Sequence, residues 1–242
     1  MAFVDGPYRP TRRPVNYGQA FGHEPTTLLV VSRASDQSAR SGSGELAAQQ
    51  RAPRERMLSA ADRLLRYRGY EAVGVADVCR EADVRKGSFY YFFDSKSALA
   101  VELLELSWQR KRADVFAPAF EQANAIDMFH RFGEKLATSL ALELESEGAI
   151  SGCRFGNFAL ELANTDEAVR GCVSHVFDEM AATFASAIEA GQTSGELAAD
   201  LDPTAIAITL VAQMEGLLLL AKAKRDPAIV STFGATAQRL LG

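Results

Sequence analysis

Two short stretches of the chain hold the residues whose types and spacing could do chemistry. The first, VRKGSFYYFF at 84–93, sets two cations, a glycine and a serine directly before five aromatic rings. The second, GCRFGNFALELA at 152–163, places Cys153 and Arg154 at the head of an apolar segment. A helix turns about 100° per residue, so consecutive rings at Phe89, Tyr90, Tyr91, Phe92 and Phe93 point all round the cylinder and cannot share one buried face. Phe89 and Phe93, four residues apart, can pack inward together. Tyr90 and Tyr91 then project outward, where their hydroxyls can donate to phosphate oxygens and their rings can rest on sugars or thymine methyls. Lys86, Gly87 and Ser88 occupy the leading turn, the part of a recognition helix that meets base edges, and a glycine there lets the backbone come close.

Charge distribution agrees with a polyanionic partner for the first stretch. The 242-residue chain carries a formal charge of −5, but residues 51–112 hold 13 Lys/Arg against 9 Asp/Glu, while 113–242 hold 8 against 18. A basic segment inside an acidic chain suits a phosphate backbone, and the acidic remainder would be repelled by the same surface. Cys79, Cys153 and Cys172 are too irregularly spaced for a disulfide framework or a zinc pattern, and His23, His130 and His175 lie far apart, so no metal or cofactor is expected. No Glu-x-x-His pair, glycine-rich phosphate loop or Ser/His/Asp constellation supports an enzyme. The run LLVV at 28–31 is too short for a signal peptide, and the apolar stretch 205–221, interrupted by Gln213 and Glu215, reads as falling short of a bilayer span. The expected location is the cytoplasm, without a membrane partner.

The elements that must position these residues read as helix almost throughout. Residues 1–50, rich in Gly, Ser, Pro and Arg, read as a disordered leader. After it, Met57, Ala60, Ala61, Leu64 and Leu65 recur at helical spacing up to Gly69, and VADVCREA at 75–82 forms a short helix that Asp83 ends. A third short helix covers Lys86 to Phe92, and a longer one starts after Asp94 and Ser95, either of which can cap it. Helix, short helix, tight turn, short helix is the helix-turn-helix arrangement. Further helices are predicted near 122–145, 154–164, 166–191, 203–222 and 227–241. Asp202-Pro203 and Asp226-Pro227 place a capping carboxylate before a proline at two of the starts. The fold class is therefore all-α: a three-helix DNA-binding domain at 51–98 and a helical bundle at 99–242.

The stretch YRGYEAVGVADVCREADVRKGSFYYFFDSKSAL resembles the DNA-binding motif of the TetR family of transcriptional repressors, over residues 54–104. Glycine-aromatic, the A-x-V turn, K-G-S-F-Y-Y and S-K all stand at that family's separations. The resemblance implies that Lys86, Gly87, Ser88, Tyr90 and Tyr91 contact an operator in double-stranded DNA and that Lys96 holds a phosphate. Arg85 replaces a usual serine and adds a cation, Phe92 replaces a phosphate-binding histidine, Gly74 replaces a Ser/Thr cap, and Asp83 replaces the turn glycine. The resemblance also implies a small-molecule effector inside the bundle and a homodimer, for which 203–222 and 227–241 are the candidate interface helices.

Within the bundle, Phe116, Phe120, Phe155 and Phe158, with Phe129 and Phe132, are candidates for an apolar pocket. The segment 152–163 resembles a Gly-Cys-x-x-Gly-Asn-x-Ala-x-Glu segment in a branch of the family that includes sensors of reactive electrophiles and small unsaturated compounds. A helix starting near Arg154, with its dipole and a guanidinium, would favour a Cys153 thiolate; a buried apolar cysteine is the other reading. Arg154 and Asn157 are alternative anchors for an anionic or carbonyl ligand. An interaction protein that has kept the fold and lost specific DNA binding is the second functional reading.

Overall fold

The computed structural model describes residues 41–121 and 124–242. Most of the leader, including LLVV at 28–31, lies outside the described residues. Helix α1 (Ser41–Arg68) begins well before the boundary read at Arg51. Glu45, Ala47, Ala48, Gln49 and Gln50 are strong helix formers, and that propensity outweighs the glycines and serines around them. Short helices α2 (Val75–Glu81) and α3 (Lys86–Phe92) follow, then α4 (Lys96–Lys111). Among the described residues there is no strand.

The first three helices close around one small core. Met57, Ala60, Ala61 and Leu65 from α1, Val78 and Cys79 from α2, and Phe89 and Phe93 all bury there. Asp83 in the turn adopts φ +51°, the left-handed conformation that its place in the motif demands. The turn is clamped from α1: Arg56 Nε donates to the Ala82 carbonyl at 3.0 Å and Nη2 to the Asp83 carbonyl at 3.3 Å. Gly74 gives α2 no side-chain cap, and Asp77 compensates by accepting the Gly74 N–H at 2.9 Å. Ser95 Oγ caps α4 by accepting from the Ala98 N–H at 3.0 Å.

Helix α4 passes through a π-turn (Arg112–Phe116) and the short α5 (Ala117–Ala119) into the bundle of α6 (Ala125–Glu147), α7 (Arg154–Leu162), α8 (Glu167–Ser194), α9 (Pro203–Lys224) and α10 (Ala228–Leu241). The expected carboxylate cap of α9 is present, Asp202 Oδ1 accepting from the Thr204 and Ala205 N–H groups; at α10 Pro227 occupies the cap position rather than the first helical one, and Asp226, one residue further out, accepts the Ala228 N–H at 3.0 Å. Helices α6 and α10 approach at Gly133 and Gly234, where a Cβ on Gly234 would collide with the His130 backbone. Phe116, Phe120, Phe129, Phe132, Phe184 and Phe233 stack beside that crossing with ring centroids 4.8–6.4 Å apart. One expectation is corrected: α9, at 22 residues, is long and apolar enough by length and composition to cross a membrane. The apolar run at 205–221 looked short because the helix continues beyond it at both ends. In this fold Leu210, Met214 and Leu218 of α9 are buried and pack in the bundle with α8 and α10.

Candidate nucleic-acid interface and effector cavity

Helix α3 presents its residues as the ring spacing requires. Phe89 is fully buried and Phe93 nearly so, whereas Tyr90 is 58% and Tyr91 70% exposed. Among the described residues neither tyrosine hydroxyl makes a hydrogen bond, so both are free to donate to an incoming oxygen. Their rings are braced edge-on, Tyr90 against Phe89 at 5.3 Å and Tyr91 against Phe92 at 4.8 Å. Arg85, Lys86 and Gly87 are exposed, Ser88 is half-buried, and the first turn carries no acidic residue. A Cβ at Gly87 would meet nothing within 4 Å, so this face of the helix is open for close approach.

Lys96 has additional work. Its Nζ donates to the Tyr70 carbonyl at 2.7 Å and lies 3.7 Å from the centre of the Tyr70 ring. Burial lowers its pKa, with Glu71 and Glu161 pulling the other way. The ammonium thus ties α4 to the loop after α1, with two N–H bonds left for an outside acceptor.

That loop is also held from the bundle. The Glu161 carboxylate, on α7, accepts from the Tyr70 N–H at 2.7 Å and the Glu71 N–H at 3.3 Å. Gly69, at φ +79°, sits against it; a side chain there would be strained and would crowd Glu161. The Tyr70 ring meets Phe158 of α7 edge-on at 5.9 Å. At the other end of α7, Arg154 Nη2 pairs with Asp62 of α1 at 2.6 Å. Helix α7 is therefore bonded to the DNA-reading head at both ends.

Its leading end also forms part of the wall of a cavity of about 350 Å3 between α4, α6, α8 and α9. Of the predicted ligand residues, Phe116, Phe155, Cys153 and Arg154 line it. Phe120 packs in the phenylalanine cluster instead, while Phe158 and Asn157 line a smaller cleft of about 170 Å3 beside α1. Asn157 is committed to the approach loop, its Nδ2 donating to the Ser151 carbonyl at 3.0 Å.

Of the two readings of Cys153, its surroundings favour the packed, neutral thiol. Its sulfur does cap α7, accepting from the Gly156 N–H at 3.5 Å, but burial, reinforced by Glu215, pushes the thiol well above its ordinary pKa. The guanidinium expected to favour the thiolate has turned to Asp62. Glu215 lies over Gly156, where a Cβ would collide with its carboxylate, and burial raises its pKa too. Sequence reading missed Lys111 and Glu215, since each sits in an ordinary helical pattern that shows nothing of its partners; Glu161 closes the Gly-Cys-x-x-Gly-Asn-x-Ala-x-Glu segment, but its bonds to the Tyr70 loop were not read from it.

An exposed reading helix braced on a three-helix core, joined by a doubly bonded helix to a cavity-bearing bundle, defines a helix-turn-helix DNA-binding protein with a built-in ligand-binding domain. The chain matches "Bacterial regulatory proteins, tetR family" over residues 57–103 and "Tetracyclin repressor-like, C-terminal domain" over 135–236. It is 30% identical to the transcriptional regulator AcuR of Cereibacter sphaeroides, over 71% of this chain and 77% of that one. It is 28% identical to the HTH-type transcriptional repressor DhaR of Mycobacterium sp. (strain GP1), over 72% and 84%. A solved regulatory protein TetR from Rhodobacter sphaeroides superposes with a TM-score of 0.67 at 26% identity, covering 78% of this chain and 99% of that one. The reduced form of Escherichia coli NemR gives a TM-score of 0.67 at 24% identity, over 78% and 98%, and shares the fold. This chain belongs to the TetR family: it is a ligand-responsive transcriptional regulator that binds DNA through its helix-turn-helix.

Proposed function

We propose that the protein is a cytoplasmic repressor that binds a palindromic operator as a homodimer and is released when a small molecule occupies the cavity of the bundle. The observation that carries this reading is the division of α3 into buried Phe89 and exposed, unbonded Tyr90 and Tyr91 behind an open cationic turn. Two such helices must stand about 34–36 Å apart to enter successive major grooves, which requires two copies at fixed separation. The surface for the second copy is on α9 and α10. Ile208, Leu219 and Leu220 of α9 are 60%, 61% and 46% exposed, and Ala212 and Gly216 lie between them on the open side. Apolar rows of this kind on a bundle helix fit a self-complementary four-helix contact.

Release follows from how α7 is bonded. A ligand that displaces Cys153 and Arg154 at its leading end shifts a rigid helix whose far end holds the Tyr70 loop through Glu161. Lys96 passes that shift to the start of α4. The ligand must favour the displaced state by a few kcal/mol to empty the operator.

Loss of DNA binding, the second reading, rested on Gly74, Asp83 and Phe92. Asp77 and the Arg56 clamp offset the first two, which weakens that reading. A gel-shift with the chain's own upstream intergenic DNA tests the proposal. Specific retardation is expected, and Lys86→Ala with Tyr90→Ala should weaken it at least tenfold, on the scale of about 1.4 kcal/mol, without changing thermal unfolding. Purely nonspecific, salt-labile binding would favour the second reading.

A further inference from the structure

The charges around the 350 Å3 cavity do not cancel locally. Its two inner carboxylates are already occupied. Asp62 accepts Arg66 at 2.7 Å and Arg154 Nη2 at 2.6 Å. Glu143 accepts the Tyr67 hydroxyl at 2.9 Å and the Ser151 N–H at 3.3 Å, with Arg66 at 3.8 Å. Asp114 and Glu147 stand exposed at the edge. Two donors remain unspent. Among the described residues Lys111 makes no hydrogen bond or ion pair, and its half-buried side chain lines the cavity. Arg154 Nη1 is buried with no partner.

Taking a guanidinium N–H out of water without a partner is costly, and native folds rarely retain one, least of all beside a second unpaired cation, unless something else supplies the partner. The protein supplies none. Burial lowers the Lys111 pKa, and the nearby Arg66 and Arg154 push it the same way; Cys153 and Glu143 oppose this without making contact. The two donors lie within electrostatic reach of one another on the same cavity. Opposite them the wall is apolar, with Phe116, Leu140, Phe155, Met180 and Met214.

We infer that the effector cavity takes a small monocarboxylate with an apolar body, its headgroup held between Lys111 Nζ and Arg154 Nη1. Two unspent donors match the two oxygens of one carboxylate, whereas a phosphate's additional oxygens and charge would lack partners. The apolar wall takes the ligand's hydrocarbon, and the volume suits a ligand of ordinary metabolite size. This inference rests on the reading of the bundle as the effector domain.

The test uses the full chain with hexanoate and benzoate, and with hexanamide and benzamide as neutral isosteres. Binding is followed by calorimetry and by fluorescence of Trp108, whose ring lies 5.1 Å from Phe116 and 6.1 Å from Phe155. At least one acid should bind roughly tenfold or more tighter than its amide, the scale of one charge-assisted hydrogen bond. Lys111→Met should erase that preference while leaving amide binding unchanged. Lys111→Gln provides a second variant with the same expected loss. Equal binding of acid and amide, no binding of either acid, or full acid preference in both variants would overturn the inference. A parallel gel-shift separates this from the effector reading. Acids that bind yet leave the operator occupied support the carboxylate site and remove its role in release. Amides that release the operator where acids do not keep the effector cavity and overturn the carboxylate.

Discussion

Replacing Glu161 with alanine removes the one side chain that, among the described residues, joins α7 to the backbone of the DNA-reading head. The carboxylate accepts two N–H groups, from Tyr70 at 2.7 Å and Glu71 at 3.3 Å, the first part-buried and the second exposed. A hydrogen bond to a charged group contributes about 1.5–3 kcal/mol when well sheltered. Glu161 itself is exposed and one of its two bonds is long, so the expected loss is nearer 1–2 kcal/mol in total, about 2–5 °C in melting temperature for a chain of this size. The same energy appears as coupling between cavity and reading head, which corresponds to roughly 5–30-fold in any effect that travels along α7. Amide hydrogen exchange is the most direct assay: the Tyr70 and Glu71 amides should lose about that factor in protection, while the Phe89 and Phe93 amides keep theirs. Glu161→Gln retains an acceptor oxygen and should lie between the parent and the alanine variant. If the Tyr70 and Glu71 amides exchange as slowly in Glu161→Ala as in the parent and the urea midpoint does not move, the link through α7 is wrong.

Other expectations follow from the same geometry. Burial raises the Glu215 carboxyl pKa, so the native state holds that proton more tightly than the unfolded chain does. Stability should then fall as pH rises from the unfolded value near about 4.3 through the raised folded value. Glu215→Gln should therefore gain on the order of 1 kcal/mol at pH 8 and close to nothing at pH 4, read by urea unfolding. Burial also raises Cys79 and pushes Cys172 up to about 12, and Cys153 rises further, so all three thiols should react slowly with a disulfide reagent at neutral pH and rapidly once the chain is unfolded. A Cys153 that reacted in the native state at the rate of a free thiol would contradict the shelter that Glu215 and the start of α7 give this half-buried thiol. For the dimer, Leu219→Glu with Ile208→Glu places charge on the open side of α9; sedimentation should show monomer with near-native helix content, and an unchanged dimer would remove α9 from the interface.

Much of the reading head was legible in sequence because its determinants are local. The inward and outward division of Phe89, Tyr90, Tyr91 and Phe93 follows from helical angle alone, and Ser95, Asp202 and Asp226 each lie two or three residues from the N–H they accept. At Asp83 the sequence showed only that the usual turn glycine was replaced; its left-handed conformation, and its stabiliser Arg56, 27 residues away, came from the structure.

The sequence by itself therefore determined most of the helices and which residues of α3 turn outward, because interactions within one or two turns need no partner from elsewhere; the start of α1 and the turn at 112–119 escaped it. Only the tertiary structure decided the chemistry of the sensing half. Lys96 meets a carbonyl 26 residues away, Glu161 an N–H group 91 away, and burial, reinforced by Glu215, raises the Cys153 thiol pKa. Desolvation and pairing energies belong to such assembled neighbourhoods, and the same cysteine before the same helix would be more acidic in an open setting than in this one.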